Sequence, residues 1–152
     1  MTLISKIHAL LVTIGRFLQC PLLLVIRLYW GWQFFLTGKG KLMHLDKTAN
    51  FFASLNIPMP KLNAILASCT ECGCGLLLLL GLCSRFASFA LICVMCVALW
   101  TADRAAVTSL FSDPDKLFGT DPFLFLYASV LVFAFGPGKI ALDTLVFKEK
   151  SA

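Results

Sequence analysis

The sequence predicts an all-α integral membrane protein: a four-helix bundle with a short interfacial amphipathic helix between its first and second spans. Composition is the first observation that predicts it. Hydrophobic residues make up 59% of the chain and charged residues 14%, whereas soluble domains are about 45–50% apolar and about 25% charged. The second observation is that the apolar residues concentrate in four stretches of helical length, at about 17–38, 62–83, 86–102 and 118–136. We therefore expect one membrane domain over residues 1–152.

The first predicted span follows a segment that resembles a secretory signal only superficially. Lys6 precedes an apolar run, but His8 and Arg16 interrupt that run, and no small-residue cleavage site follows it. We expect this segment to stay attached and to lie along the membrane surface ahead of a span that begins near Phe17.

Residues 44–56, between the first two spans, predict a short amphipathic helix. Its apolar side chains share one side, and Pro58 and Pro60 then end the helix and redirect the chain. The helix can serve as an interfacial anchor or as a lid over a site between the spans, and the sequence leaves both interpretations open.

The later spans are closely connected, and the last one is short. The tight turn at Ser84-Arg85 makes the second and third spans antiparallel neighbours. The apolar core of the fourth span, Pro122 to Phe135, rises only about 21 Å, against a hydrocarbon thickness of about 30 Å. It must borrow flanking residues, thin the bilayer or shelter behind the other helices.

Ionisable residues inside the spans mark the candidate site. A charged side chain near the bilayer centre costs at least about 2.5–3.5 kcal/mol, so it is usually paired or faces a polar cavity. In the first span, Arg27, Gly31, Phe34, Gly38 and Lys41 follow one another at intervals of four, three, four and three residues. This spacing places them on one face of the helix, where the two glycines allow a close approach by another helix or by a ligand.

The second span carries a matching stripe of Ala67, Glu71 and Gly75. The simplest inference from the two stripes is that Arg27 pairs with Glu71 across the helix interface. Such a pair either fixes the helix register or belongs to a polar site that handles a proton or holds a ligand headgroup. Trp30 and its aromatic neighbours can pack and contact lipid, or stack on a flat ring such as that of a quinone.

Four of the seven cysteines have the spacing of redox motifs: Cys69 with Cys72, and Cys93 with Cys96. Inert packing, redox-active thiols and metal binding are the three interpretations, in that order. We expect no metal, because zinc needs four ligands and the two histidines lie elsewhere. We also expect no nucleic-acid partner, because the basic residues are scattered.

Taken in order, these features resemble the DoxX family of small four-span membrane proteins, over about Leu24 to Asp143. The carriers of the resemblance are Arg27-Leu28, Gly31, Phe35, Gly38, Lys41-Leu42, Phe51 to Leu55, Ile57-Pro58, Glu71, Gly75, Leu78 to Arg85, Gly136-Pro137-Gly138 and Asp143. The sequence departs from the pattern at Asn56, where a glycine is usual. At the end of the third span, where many relatives carry a histidine, it reads Trp100-Thr101-Ala102-Asp103, with Asp103 as the substitute that the sequence offers.

The resemblance implies a redox-associated subunit in a bacterial inner membrane, acting near the quinone pool in oxidative-stress or in sulfur and thiol metabolism. Relatives include a small subunit of a thiosulfate:quinone oxidoreductase, and animal relatives act as channel assembly factors. The implied catalytic residues are Glu71 and Arg27. The implied cofactor-binding residues are Arg27, Gly31, Phe34, Lys41, Glu71 and Asp103.

The same reading implies a protein partner that supplies electrons, because the chain has no recognisable haem, flavin or iron–sulfur motif. It is also compatible with a homo-oligomer. The alternative is a non-enzymatic membrane assembly or scaffold protein that helps a partner complex to form.

Overall fold

The computed structural model describes residues 3–138 and 140–146, and within them every regular element is a helix. In chain order the helices are α1 (Leu3–Met43), α2 (Leu45–Ser54), α3 (Pro60–Leu80), α4 (Ser84–Thr101), α5 (Arg104–Thr108), α6 (Pro114–Phe118), α7 (Asp121–Phe135) and α8 (Leu142–Val146). The predicted all-helical class is confirmed.

Three helices in the described part of the chain, α1, α3 and α4, are long and apolar enough to cross a membrane. They correspond to the first three predicted spans. Helix α7 is also apolar but has only 15 residues, a rise of about 22 Å. It packs against α4 and α1, so its neighbours cover part of its surface. This arrangement is one of the solutions that the sequence predicts for a short fourth span.

Helix α1 begins well before the predicted first span. It is one helix of 41 residues that continues through Pro21. A proline inside a helix removes one backbone hydrogen bond and can kink the axis. Helix α1 nevertheless stays helical on both sides of Pro21. The segment ahead of Phe17 therefore extends the same helix away from the bundle.

Three glycines bring α1 and α3 into close contact. A Cβ atom placed on Gly31 would lie 2.8 Å from the backbone nitrogen of Leu79, and one on Gly75 would lie 2.7 Å from that of Phe35. A Cβ on Gly38 would meet the α3 backbone at Ser68 and Cys72 more severely still. The close approach that the small residues predicted is confirmed.

The turn between α3 and α4 makes these helices antiparallel neighbours, as predicted. Gly81 ends α3 with a φ of +70°, a left-handed conformation that glycine adopts without steric cost. Below the turn, Phe34, Leu78, Leu91 and Val132 form a buried core shared by four helices. This core packs α1, α3, α4 and α7 against one another.

Candidate ligand-binding cavity

A cavity of about 1100 Å³ lies where the last turns of α1, the middle of α3, the end of α4 and the start of α7 meet. Its size is at the upper end of ligand pockets, which are commonly about 300–1,000 Å³. Both polar and apolar side chains line it. Those that bear on the site are Thr37, Lys41, Phe51, Phe52, Glu71, Cys93, Asp103, Asp121 and Phe125.

Helix α2 and the chain after it form one wall of the cavity, from Lys47 to Pro58. Phe52 is partly buried in this wall, while Phe51 keeps 52% of its surface exposed. The segment was predicted to be either an interfacial anchor or a lid. Its place over the cavity supports the lid interpretation, and the exposed ring of Phe51 remains available to lipid.

An ion pair sits on the cavity wall between α1 and α3. Lys41 Nζ donates a hydrogen bond to Glu71 Oε1 at 2.5 Å. The Glu71 side chain is 2% exposed and the Lys41 side chain 37%. A carboxylate this deeply buried needs a partner, and Lys41 is long enough to supply one while it faces the cavity.

Gly38 explains why this pair can form. It lies one turn before Lys41 and lets the α3 backbone at Ser68 and Cys72 approach α1 directly. The close approach brings Glu71, three residues after Ser68, within reach of the lysine. The glycine stripe therefore acts on the site through the spacing of the two helices.

The predicted pair of Arg27 and Glu71 does not form. Arg27 is 3% exposed and lies beside Gly81, where a Cβ atom would be 2.6 Å from the guanidinium carbon. Gly81 is ten residues beyond Glu71 on α3, which is about 15 Å along a helix. The prediction failed because a stripe identifies the face on which a residue lies and not its level along the partner helix.

Arg27 instead holds the segment that follows α7 against the bundle. Its Nη1 donates a hydrogen bond to the Pro137 carbonyl at 2.7 Å, and its Nη2 donates to the Ile140 carbonyl at 2.8 Å. These carbonyls belong to the segment that follows α7. Both terminal nitrogens of the guanidinium donate to backbone oxygens rather than to a carboxylate from α3, while its buried Nε has no hydrogen-bond partner among the described residues.

Asp143 secures the same segment from the other side. Its carboxylate accepts hydrogen bonds from the backbone N–H groups of Cys83 at 2.5 Å and Ser84 at 2.8 Å. Its own N–H donates to the Gly81 carbonyl at 2.8 Å. The first N–H groups of a helix have no partner within the helix, so Asp143 serves as a distant cap for α4. We call Arg27, Asp143 and the backbone they hold the C-terminal clamp.

The structure divides the predicted cofactor-binding residues into two groups. Lys41, Glu71 and Asp103 line the cavity, whereas Arg27, Gly31 and Phe34 are not among its lining residues. Gly31 lies in the α1–α3 contact. Phe34 is fully buried, and its ring centroid lies 4.5 Å from that of Phe125, which does line the cavity. A ligand role for the second group therefore could only be indirect.

Sequence reasoning missed several cavity residues that the fold brings in. Phe125 and Asp121 come from α7, which the stripes of α1 and α3 do not reach. Thr37 could have been found, because it lies four residues before Lys41 on the same helix face. Trp30 packs edge-on against Phe125 with ring centroids 5.0 Å apart, which supports the packing interpretation of this aromatic group.

The four candidate redox cysteines are free thiols. Cys93 lines the cavity, while Cys69 and Cys96 are exposed and Cys72 is partly buried. Among the described residues no three His, Cys, Asp or Glu side chains gather as they would around a metal ion. Redox activity of the thiols stays a prediction.

Long apolar helices, a buried ion pair and a cavity between the helix ends define the class: this is a multi-pass membrane protein with a ligand-sized cavity within its helical bundle. The DoxX family model matches residues 22–104, more than half of the chain. The chain therefore belongs to the DoxX family, and the resemblance predicted from its motifs is confirmed. No curated protein and no solved structure matches it. The matched range contains Lys41, Glu71 and Asp103, and it ends before α7.

Proposed function

We propose that this protein is a redox-associated membrane subunit that binds a quinone in the cavity beside Lys41 and Glu71. The observation that carries the proposal is the buried ion pair on the wall of a large cavity. Membership of a family commonly linked to redox or quinone-associated roles supports it. The role fits a bacterial inner membrane, where the quinone pool is found.

The lining residues fit the chemistry of a quinone. A quinone headgroup is a flat ring with carbonyl oxygens at opposite edges, so it needs donors at its rim and apolar groups at its faces. Lys41 can donate from the rim, since only part of its ammonium group is engaged by Glu71. Phe51, Phe52 and Phe125 offer ring faces and edges for stacking. The remaining volume leaves room for the start of an apolar tail.

The ion pair also provides a place to hold a proton. A bound quinone would accept two electrons and two protons when it is reduced. The proton shared between Lys41 Nζ and Glu71 Oε1 lies at the cavity wall, where the pair can give it to a ligand oxygen and regain it from water. The electrons come from a protein partner in this proposal, since the chain shows no electron-carrying motif of its own.

Quinone content per protein in a mild-detergent preparation tests this proposal. We expect near-stoichiometric quinone in the wild type. Loss of a charge-assisted hydrogen bond lowers affinity at least about tenfold, so Lys41→Met and Glu71→Gln should each retain about half as much quinone or less. Size-exclusion profiles and circular dichroism establish that each variant is folded.

Lys116→Met is the matched control. Lys116 is also an ion-paired lysine, 3.2 Å from Asp113, but its side chain is 65% exposed and it does not line the cavity. It should retain quinone like the wild type. A wild-type protein without quinone, or equal loss in all three variants, would contradict the proposal.

The second candidate function is a non-enzymatic assembly or scaffold protein. The C-terminal clamp favours it, because there a buried arginine holds two backbone carbonyls of another segment and does not line the cavity. In this case Glu71→Gln would leave the partner complex intact. Substitutions on the lipid-facing side of the bundle would instead lower the amount of the partner that accumulates in the membrane.

A further inference from the structure

The first part of α1 extends beyond the bundle as an exposed helix. Residues 6–18 are all exposed, and the first buried residue of the helix is Leu23. We call residues 3–20 the N-terminal arm. Eighteen helical residues rise about 27 Å. Gly15 to Cys20 still lie beside the end of α7 and the segment that follows it, and the residues before them extend past this end of the bundle, which carries the α3–α4 turn.

The arm has an apolar side and a polar side. At 100° per residue, Ile7, Leu10, Ile14 and Phe17 fall on one side, together with the flanking leucines and Ile4. Phe17 is 78% exposed. His8, Arg16 and Gln19 fall on the opposite side, where Val12 is the one large apolar residue, and Lys6 lies at the boundary between the two sides, beside Phe17. An exposed helix with this pattern is typical of segments that lie in a membrane interface.

The rest of α1 shows which side of the arm faces outward and which faces the bundle. The apolar side of the arm continues along the helix into Val25 and Trp32, which are exposed on the outside of the bundle. The polar side continues into Arg27 and Gly31, which face α3. If the arm tilts outward, away from the bundle, its apolar side therefore turns down onto the bilayer and its polar side turns up to water.

Pro21 lies at the junction between the arm and the bundle. Its ring nitrogen cannot donate the hydrogen bond that would close on the Phe17 carbonyl, and kinks in helices occur at such positions. The junction is therefore the point at which α1 can change direction most readily.

We propose that the N-terminal arm is an interfacial anchor that binds the headgroups of anionic phospholipids. The charge pattern selects this partner. Lys6 and Arg16 are cationic, and the sequence contains no acidic residue before Asp46. The arm thus carries positive charge and no carboxylate of its own. It lies toward the end of the bundle that carries the α3–α4 turn, where we expect the headgroups of a membrane that encloses α3 and α4. This inference is independent of the quinone proposal.

Amide hydrogen exchange of the full-length protein tests it, in nanodiscs that hold a single copy. The discs are made from phosphatidylcholine with or without phosphatidylglycerol. Each cation near an anionic surface contributes roughly a fivefold preference for it, so the two predict exchange in the arm about 25-fold slower in the anionic discs. Lys6→Gln combined with Arg16→Gln should abolish this difference.

Two further variants keep the result decisive. Lys61→Gln combined with Lys116→Gln removes the same charge from exposed side chains outside the arm, and should leave the difference unchanged. Phe17→Asp should make the arm exchange fast in both kinds of disc, because it disrupts the apolar side.

Three outcomes would overturn the inference. Equal protection with and without phosphatidylglycerol would show that anionic lipid is not recognised. Fast exchange in all discs would show that the arm does not bind the membrane. Protection that is absent from the single-copy discs but present in a parallel set of discs that hold two copies would identify a second copy of the chain as the partner.

Discussion

Helix α1 carries two cations toward the bundle interior, and the protein uses them in different ways. Arg27 is surrounded by backbone carbonyls and by the glycine of the α3–α4 turn, away from the cavity. Lys41 meets a carboxylate and borders a large open volume. A buried charge therefore does not by itself mark a site of chemistry. The distinguishing feature is whether space for a ligand lies beside it.

The largest effect that would separate the two regions comes from Arg27→Leu. This change leaves the Pro137 and Ile140 carbonyls without donors, and each buried acceptor left unsatisfied costs about 1–3 kcal/mol. We expect the free energy of unfolding in detergent to fall by about 2–6 kcal/mol for the two carbonyls together. The folded fraction should still retain quinone, because Arg27 does not line the cavity. Quinone loss at unchanged stability would reverse the assignment of roles.

Gly38→Ala should have the next largest effect. The added methyl group meets the α3 backbone, and overpacking of this kind costs about 1–3 kcal/mol. It also pushes α3 away from α1, so it should weaken the Lys41–Glu71 pair and lower quinone retention. Gly40→Ala is the control, since nothing lies within 4 Å of a Cβ atom there. Similar results for the two variants would show that helix spacing does not control the site.

Asp143→Ala tests the other half of the C-terminal clamp. It removes the acceptor for the N–H groups of Cys83 and Ser84, and loss of a helix cap costs about 0.5–2 kcal/mol. Amide exchange at these two residues should accelerate more than elsewhere in α4. Unchanged exchange there would mean that the carboxylate does not cap the helix in the membrane.

The smallest expected effect is the coupling between the two regions. Arg27 and Glu71 lie at levels about 15 Å apart along α3 and share no partner. The stability changes of Arg27→Leu and Glu71→Gln should therefore add within about 0.5 kcal/mol in the double variant. A larger departure from additivity, measured by the same unfolding experiment, would revive the direct pairing that the sequence suggested.

The sequence predicted the helical class well, because long apolar runs and their breaks are local features. It also identified the correct faces of α1 and α3. It assigned the wrong partner to Glu71. The connection at residues 44–59 contains α2 and does not fix the register of α3 against α1. That register follows from the contacts of Gly31 and Gly38 with the α3 backbone.

Other features could not be predicted from local patterns. The contacts of Arg27 with Pro137 and Ile140 join residues more than a hundred positions apart. Asp143 likewise caps a helix that begins about 60 positions earlier. No periodicity in either segment specifies that they meet, because this contact depends on how α7 returns the chain to the α3–α4 turn.

The C-terminal clamp has a consequence for how the chain is made. Arg27 emerges from the ribosome long before the carbonyls of residues 137 and 140 that satisfy it. During synthesis the first helix thus carries a charge whose partners do not yet exist, in surroundings where such a charge is costly. The clamp can therefore close only after Pro137 and Ile140 have been made. A chain that ends before them leaves its arginine uncovered.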